Sequence, residues 1–164
     1  MADIGKIPVK PGLKLDILAL TFRYSAHMAL FDSMSKRLEL RELYMQGWYQ
    51  LDAELLLSTT AESFIFDDPF EPEPVKREML VGYMHRWDQR MRASGGDNQW
   101  VLTHQTRQDR DAILIDWEWW EVSGTSLQGA AVVLTSDAGV LLERITYFDR
   151  DFSMRDGIRR SNFS

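Results

Sequence analysis

The chain has 164 residues, 45% of them hydrophobic and 27% charged, which suits one globular domain and excludes two full domains or an intrinsically disordered chain. No stretch approaches the roughly 20 apolar residues of a membrane-spanning helix, and 25 acidic against 19 basic side chains give a formal charge of -6 that argues against nucleic acid or an anionic membrane as the main partner. With no cysteine in the sequence, disulfides, thiolate nucleophiles and thiolate metal sites are excluded. Residues 1–34 read as an N-terminal arm, its start kept loose by Lys6, Pro8, Lys10 and Pro11. Asp16 interrupts the apolar run from Leu13 to Phe22 and no cleavage pattern follows it, so a secretory signal is not expected and the cytoplasm is the default location. The His27-Met28 pair is similar to a cloning junction, which leaves open whether the residues before it are native.

From Ser35 to Tyr49, Leu40, Leu43, Tyr44, Gly47 and Trp48 recur at intervals of three and four, the stripe of an amphipathic helix. Asp52 caps a second helix that carries Leu55, Leu56 and Thr59 on one face, and Ser63 to Phe66 changes to a short aromatic strand. Asp67-Asp68-Pro69 stops that strand, and Pro72 and Pro74 hold an extended loop. A third helix runs from Lys76 to Ala93 on the stripe Met79, Leu80, Tyr83, Met84, Trp87 and Met91, and Ser94-Gly95-Gly96-Asp97 ends it. Four strands follow as an antiparallel meander, Gln99 to Gln108, Ala112 to Val122, Ser126 to Thr135 and Val140 to Asp149. Helices first and a sheet second predict an α+β domain over 35–151, with 152–164 as a polar C-terminal tail.

Few residue patterns carry chemistry. His104 shares a strand face with Trp100 and Leu102, so it is a candidate pocket anchor or proton shuttle, while His85 lies off its helix's apolar stripe. No two histidines share ligand spacing and the carboxylates are scattered, so no metal is expected. No serine sits in a nucleophile elbow and no Gly-rich loop follows a strand, which removes acyl-enzyme, phosphoryl and dinucleotide chemistry from the field. The six tryptophans suggest a large flat apolar ligand or a tryptophan-rich core and interface. On the strand Ile113 to Val122, amphipathicity alone would bury Ile113, Ile115, Trp117 and Trp119 and leave Asp116, Glu118 and Trp120 to solvent.

Three helices before a long meander, with Phe66-Asp67-Asp68-Pro69 after the second helix, Gly139 in the last hairpin and the closing run Glu143 to Asp149, resemble the nuclear transport factor two-like superfamily over about residues 35–150. That group includes SnoaL-like polyketide cyclases and ketosteroid isomerases. The resemblance implies a cone-shaped α+β barrel, three N-terminal helices packed on a curved, mostly antiparallel sheet, and a homodimer formed through the outer sheet face. It also implies that Asp68, before Pro69, is a general base and that Tyr44 donates to a substrate oxygen. Counting from Gly124 as in the isomerases turns Asp116, Glu118 and Trp120 toward the cavity. The third long strand, where the isomerases carry a protonated acid, reads Gln128 to Val133 here and holds none; Asp116 or Glu118 is the substitute, or the reaction needs only one donor.

The expectation is therefore a cofactor-independent acid–base enzyme, an isomerase, cyclase, hydratase or dehydratase, acting on a small apolar cyclic carbonyl compound. Asp68, Tyr44, Asp116 and Glu118 are its candidate catalytic groups, and His104, Trp120 and Phe148 its candidate pocket walls. The alternative from the same sequence is a non-catalytic ligand-binding or dimeric interaction module of the same fold.

Overall fold

The computed structural model describes residues 32–93 and 100–149. The predicted 94–97 turn, most of the N-terminal arm and the tail lie outside the described residues. Helix α1 covers residues 32–50, so 32–34 already belong to a helix rather than to the expected arm. It ends at Leu51, which adopts φ 53° while Asp52 N donates to Gly47 O at 2.9 Å. Asp52 then caps helix α2 (Ala53–Thr59) by accepting from Leu55 N at 2.9 Å, as its position before Leu55 and Leu56 predicts. The two helices meet tightly: a Cβ on Gly47 would lie 2.8 Å from Leu56 Cγ.

Strand β1 (Thr60–Asp67) starts three residues before the expected aromatic run, and β2 (Val75–Lys76) pairs with it through Ile65 with Lys76 and Phe66 with Val75. The sequence pattern leaves Val75 in the extended loop and starts the third helix at Lys76. Instead, Pro72 and Pro74 keep the chain extended long enough to bury Val75 against β1, and a single 3-10 turn (Arg77–Met79) precedes helix α3 (Leu80–Ala93). Leu80, Tyr83, Met84, Trp87 and Met91 form the buried face of α3, the stripe seen in the sequence. The meander follows as β3 (Trp100–Arg110), β4 (Ile113–Val122), β5 (Leu127–Ser136) and β6 (Gly139–Asp149).

The sheet has the order β2-β1-β6-β5-β4-β3, antiparallel throughout except where β1 runs parallel to β6. It is an α+β fold, three helices packed on a six-stranded sheet that stays open at β2 and β3 rather than closing into a barrel. Arg37, fully buried on α1, ties the helix across two hairpin tips by bonding Asp109 at 2.7 Å and Asp137 at 2.7 Å. At the β5–β6 turn Gly139 has φ 127°, and a Cβ there would lie 2.7 Å from both Ala61 N and Thr59 O. Gly139→Ala combines backbone strain with a main-chain clash, so it is expected to cost at least about 2 kcal/mol in urea unfolding; a loss below about 0.5 kcal/mol would contradict this reading of the turn.

Candidate functional site

Strand register decides what faces the helices. On β4 the inner face is Leu114, Asp116, Glu118, Trp120 and Val122, each 5% exposed or less. Amphipathicity alone buries the opposite face; the two acids reverse it because they meet the buried guanidinium of Arg41 and, at the sheet edge, that of Arg107. Arg41 of α1 is 2% exposed, its Nη2 bonds Glu118 Oε1, and its Nε lies 3.4 Å from Asp116 Oδ2. Arg107 of β3 bonds the other oxygen of Asp116 at 2.5 Å, and Gln105 donates to Glu118 at 3.1 Å. Burial works against the Arg41 charge, but Glu118, Glu143 and Asp116 more than offset it and hold the guanidinium above its ordinary pKa. Asp116 is thereby committed to two arginines and contributes to the fold rather than to the cavity wall.

The same register carries across the sheet. Trp120 pairs with Gly129 and Gly129 with Tyr147; Glu118 pairs with Ala131 and Ala131 with Ile145; Asp116 pairs with Val133 and Val133 with Glu143. Gly129 stands where a third-strand acid was sought, and the absence of a side chain there is what admits the indole of Trp120, which a Cβ would strike. Gly129→Ala is expected to push Trp120 into the cavity, costing about 1–3 kcal/mol in a thermal or denaturant melt; an unchanged stability would mean that Trp120 has somewhere else to go.

Two expected wall residues face outward. A register shift between Leu102 and His104 inserts Thr103 as a bulge, so Trp100 and Leu102 point inward before it and Gln105 and Arg107 after it. His104 is therefore turned to the outer face, where its ring lies 5.1 Å from that of Trp119. Phe148 pairs with Gln128 on the outer row and is 40% exposed; Tyr147, one residue earlier, takes the place expected of it.

Among the described residues a small cavity of about 40 Å³, open at its mouth, lies between sheet and helices. Trp48 of α1, Phe66 of β1 and Tyr83 and Trp87 of α3 form its helix side. Trp100, Glu118 and Trp120 meet Glu143, Ile145 and Tyr147 on its sheet side. Glu118 and Trp120 stand where the resemblance puts them. Glu143, Tyr83 and Tyr147 were not singled out as site residues, although Glu143 shares a strand face with Ile145 and Tyr147, a signal that was available.

Glu143 has the more unusual environment. Burial pushes its carboxyl up to about 7, partly opposed by Arg41 and by the hydroxyl of Tyr44, which donates to Oε2 at 2.6 Å. Tyr44, expected to donate to substrate, is thus spent on orienting Glu143, and burial among these groups raises its own pKa. Trp48 also lines the cavity with its ring and is 8% exposed; its Nε1 is buried, makes no hydrogen bond of regular geometry among the described residues, and interacts with the Tyr44 hydroxyl closely enough to oppose the rise in that phenol's pKa.

Asp68 is 3% exposed and sits one step behind the wall. Its Oδ1 accepts from Phe70 N at 2.8 Å, an ordinary Asx turn after a strand, and its Oδ2 accepts from Tyr83 Oη at 2.5 Å. Tyr147 is coupled to the same pair, and both phenols are pushed above their ordinary pKa by burial and by the nearby Asp68 charge. Asp68 thus reaches the cavity through Tyr83, which corrects the expectation of a carboxylate in direct contact with substrate.

No family model matches the chain, and no curated protein matches it. Solved structures do. A provisionally named ketosteroid isomerase from Kribbella flavida aligns with TM-score 0.53 and 15% identity over 74% of this chain and 84% of its own. A SnoaL-like polyketide cyclase, also provisionally named, from Shewanella denitrificans aligns with TM-score 0.51 and 9% identity over 76% and 97%. A cystatin-like fold protein from Burkholderia xenovorans gives 0.54 and 9% over 70% and 91%. The chain therefore has the nuclear transport factor two-like fold that its sequence resembles; at these identities the likeness concerns the fold alone.

Proposed function

We propose that the protein is a cofactor-independent acid–base enzyme acting on a small apolar cyclic carbonyl compound, with Glu143 as its general base. The observation that supports this is a carboxyl in the wall of an aromatic cavity, held by the Tyr44 hydroxyl, which burial pushes up to about 7. A general base works best when its pKa lies near the operating pH, and burial in such a site is how a carboxyl is brought there. In the step this permits, a C–H bond next to the carbonyl breaks, its proton moves to Glu143, and the electron pair spreads onto the carbonyl oxygen. Return of the proton to another carbon completes an isomerisation; departure of a neighbouring hydroxyl as water, with the proton that Glu143 took, completes a dehydration.

Tyr44 is a positioning residue in this account, and Asp68 acts through Tyr83. The homodimer belongs to the same reading, since the outer sheet face exposes Val101, Trp119 and Phe148 between polar neighbours such as Glu121 and Gln128. Among the described residues no helix is long and apolar enough to cross a membrane.

Thermal melts against small cyclic ketones and enones, followed by turnover assays on whatever binds, test the proposal. A ligand that binds the folded state at 100 times its dissociation constant adds about 2.7 kcal/mol. Carbonyl compounds that raise the melting point and are turned over support the enzyme. Binding without turnover on any compound favours the non-catalytic binding module, and a tight dimer that binds none favours the interaction module.

A further inference from the structure

The cavity, at about 40 Å³, is too small for the ring compounds it would serve. That space holds a few waters, whereas an apolar cavity that takes a benzene ring measures roughly 150 Å³. A ring therefore enters fully only if part of the wall moves. Strand ladders fix most of the sheet side, and the buried stripe of α3 fixes Tyr83 and Trp87. Tyr147 is held differently. It lies two residues from the end of β6, and beyond its cavity neighbours Trp87 and Trp120 its ring is braced by a loop residue, Phe70.

That loop joins β1 to β2, and its two ends are fixed. At one, Phe70 N and Glu71 N close onto Asp68 at 2.8 and 3.0 Å; at the other, Val75 pairs with Phe66. Between them two side chains hold the segment down. The Phe70 ring stacks on Tyr147 with centroids 4.7 Å apart, although the residue is 53% exposed. Glu71 bonds Arg86 at 2.9 Å and Arg90 at 3.4 Å, one turn apart on α3. The same arginines lie over Tyr83 and over Phe70, at 5.9 and 5.6 Å from the ring centroids. Both holds are weak: the arginine side chains are 48% and 39% exposed, and exposed ion pairs contribute little and are screened by salt. Since more than half of Phe70 already meets water, lifting it uncovers little further apolar surface.

We propose that residues 69–74 form a strap that gates the cavity, with Phe70 as the plug behind Tyr147 and Glu71 as the ionic latch to Arg86 and Arg90. Unlatching lets Phe70 leave Tyr147, and Tyr147 then turns aside to admit a ring. The inference rests on the proposed ligand site and says how that site is reached; Phe70 and Glu71 take no part in the chemistry.

A ligand that needs the open form binds with its affinity reduced by the open fraction, so loosening the latch should tighten binding rather than weaken it. The probe is cyclohexanone, titrated into the full chain of the wild type, Glu71→Ala and Phe70→Ala while tryptophan fluorescence is followed. Circular dichroism verifies the fold, which neither substitution should disturb. Both variants are expected to bind at least about 3-fold tighter than the wild type and to associate faster in stopped flow. Raising sodium chloride from about 0.05 to about 0.5 M should move the wild type the same way and leave Glu71→Ala nearly unchanged. Binding by the variants alone supports the strap equally. If Glu71→Ala binds with the affinity and rate of the wild type, or if Phe70→Ala binds more weakly, the gate is refuted while the cavity stands as a ligand site. If none of the three proteins binds, the ligand-site reading falls and the inference with it.

Discussion

Arg41→Met is expected to destabilise the fold by about 3–5 kcal/mol, the usual cost of removing one member of a buried ion network and leaving its partners charged. The substitution keeps much of the side-chain volume, so the loss is electrostatic rather than a packing defect. Glu118 would be left with only Gln105 as a donor, while Asp116 would keep Arg107. A double-mutant cycle separates the terms: adding Glu118→Gln to Arg41→Met removes the orphaned charge and should recover part of the loss, so the two changes should not add. Urea unfolding of the four proteins gives the coupling directly. Additive losses would mean that the network is worth little and that Glu118 tolerates burial without its cation.

Glu143→Gln is expected to lower turnover about 100- to 10,000-fold, the typical contribution of a positioned general base, on any substrate the thermal melts identify. In the wild type kcat/KM should rise as pH increases through about 7, where the Glu143 carboxyl ionises, and the residual rate of the variant should lack that rise. Stability moves the other way. The folded protein holds the Glu143 proton up to about 7 against 4.5 for an unburied carboxyl, so it binds more protons than the unfolded chain between those values and loses stability as pH rises through them. Gln does not titrate. The variant should therefore gain on the wild type from about pH 5 to pH 8, by up to about 3 kcal/mol if the whole shift is expressed. A variant that loses activity but shows a flat stability difference across this range would separate catalysis from the buried charge.

Much of the scaffold was legible because it depends on local signals. The stripe on α3, the Asp52 cap and the three turns that divide the meander each lie within a few residues of one another, and the structure has them where the sequence puts them. What failed depends on partners distant in sequence. The face of β4 could not be chosen from its own pattern, since Asp116 and Glu118 are buried only because Arg41, more than seventy residues earlier, comes to meet them. His104 turned outward because of a bulge at Thr103, and a bulge exists only relative to the neighbouring strand. The extended Val75 pairs with Phe66 across a loop, and its helix-like context concealed that.

The site itself was half legible. Glu118 and Trp120 follow from the resemblance and the register, and Tyr44 was marked correctly as a buried polar group on an apolar helix face. Its partner was not. Tyr44 serves Glu143, and Asp68 serves Tyr83, so the two residues that the sequence brought forward stand one step behind those that line the cavity. The ring of Tyr83 sits in a helix stripe that reads as core, and it is core, yet its hydroxyl is what connects Asp68 to the cavity.

Glu143, a carboxyl that burial pushes up to about 7 in the cavity wall, is the group on which the proposed chemistry turns. The most direct measurement is an NMR titration of protein carrying glutamate labelled with carbon-13 at the side-chain carboxyl, with Glu143→Gln used to assign the resonance. A midpoint at about 7 is expected; one near the 4.5 of an unburied carboxyl would remove Glu143 as the general base.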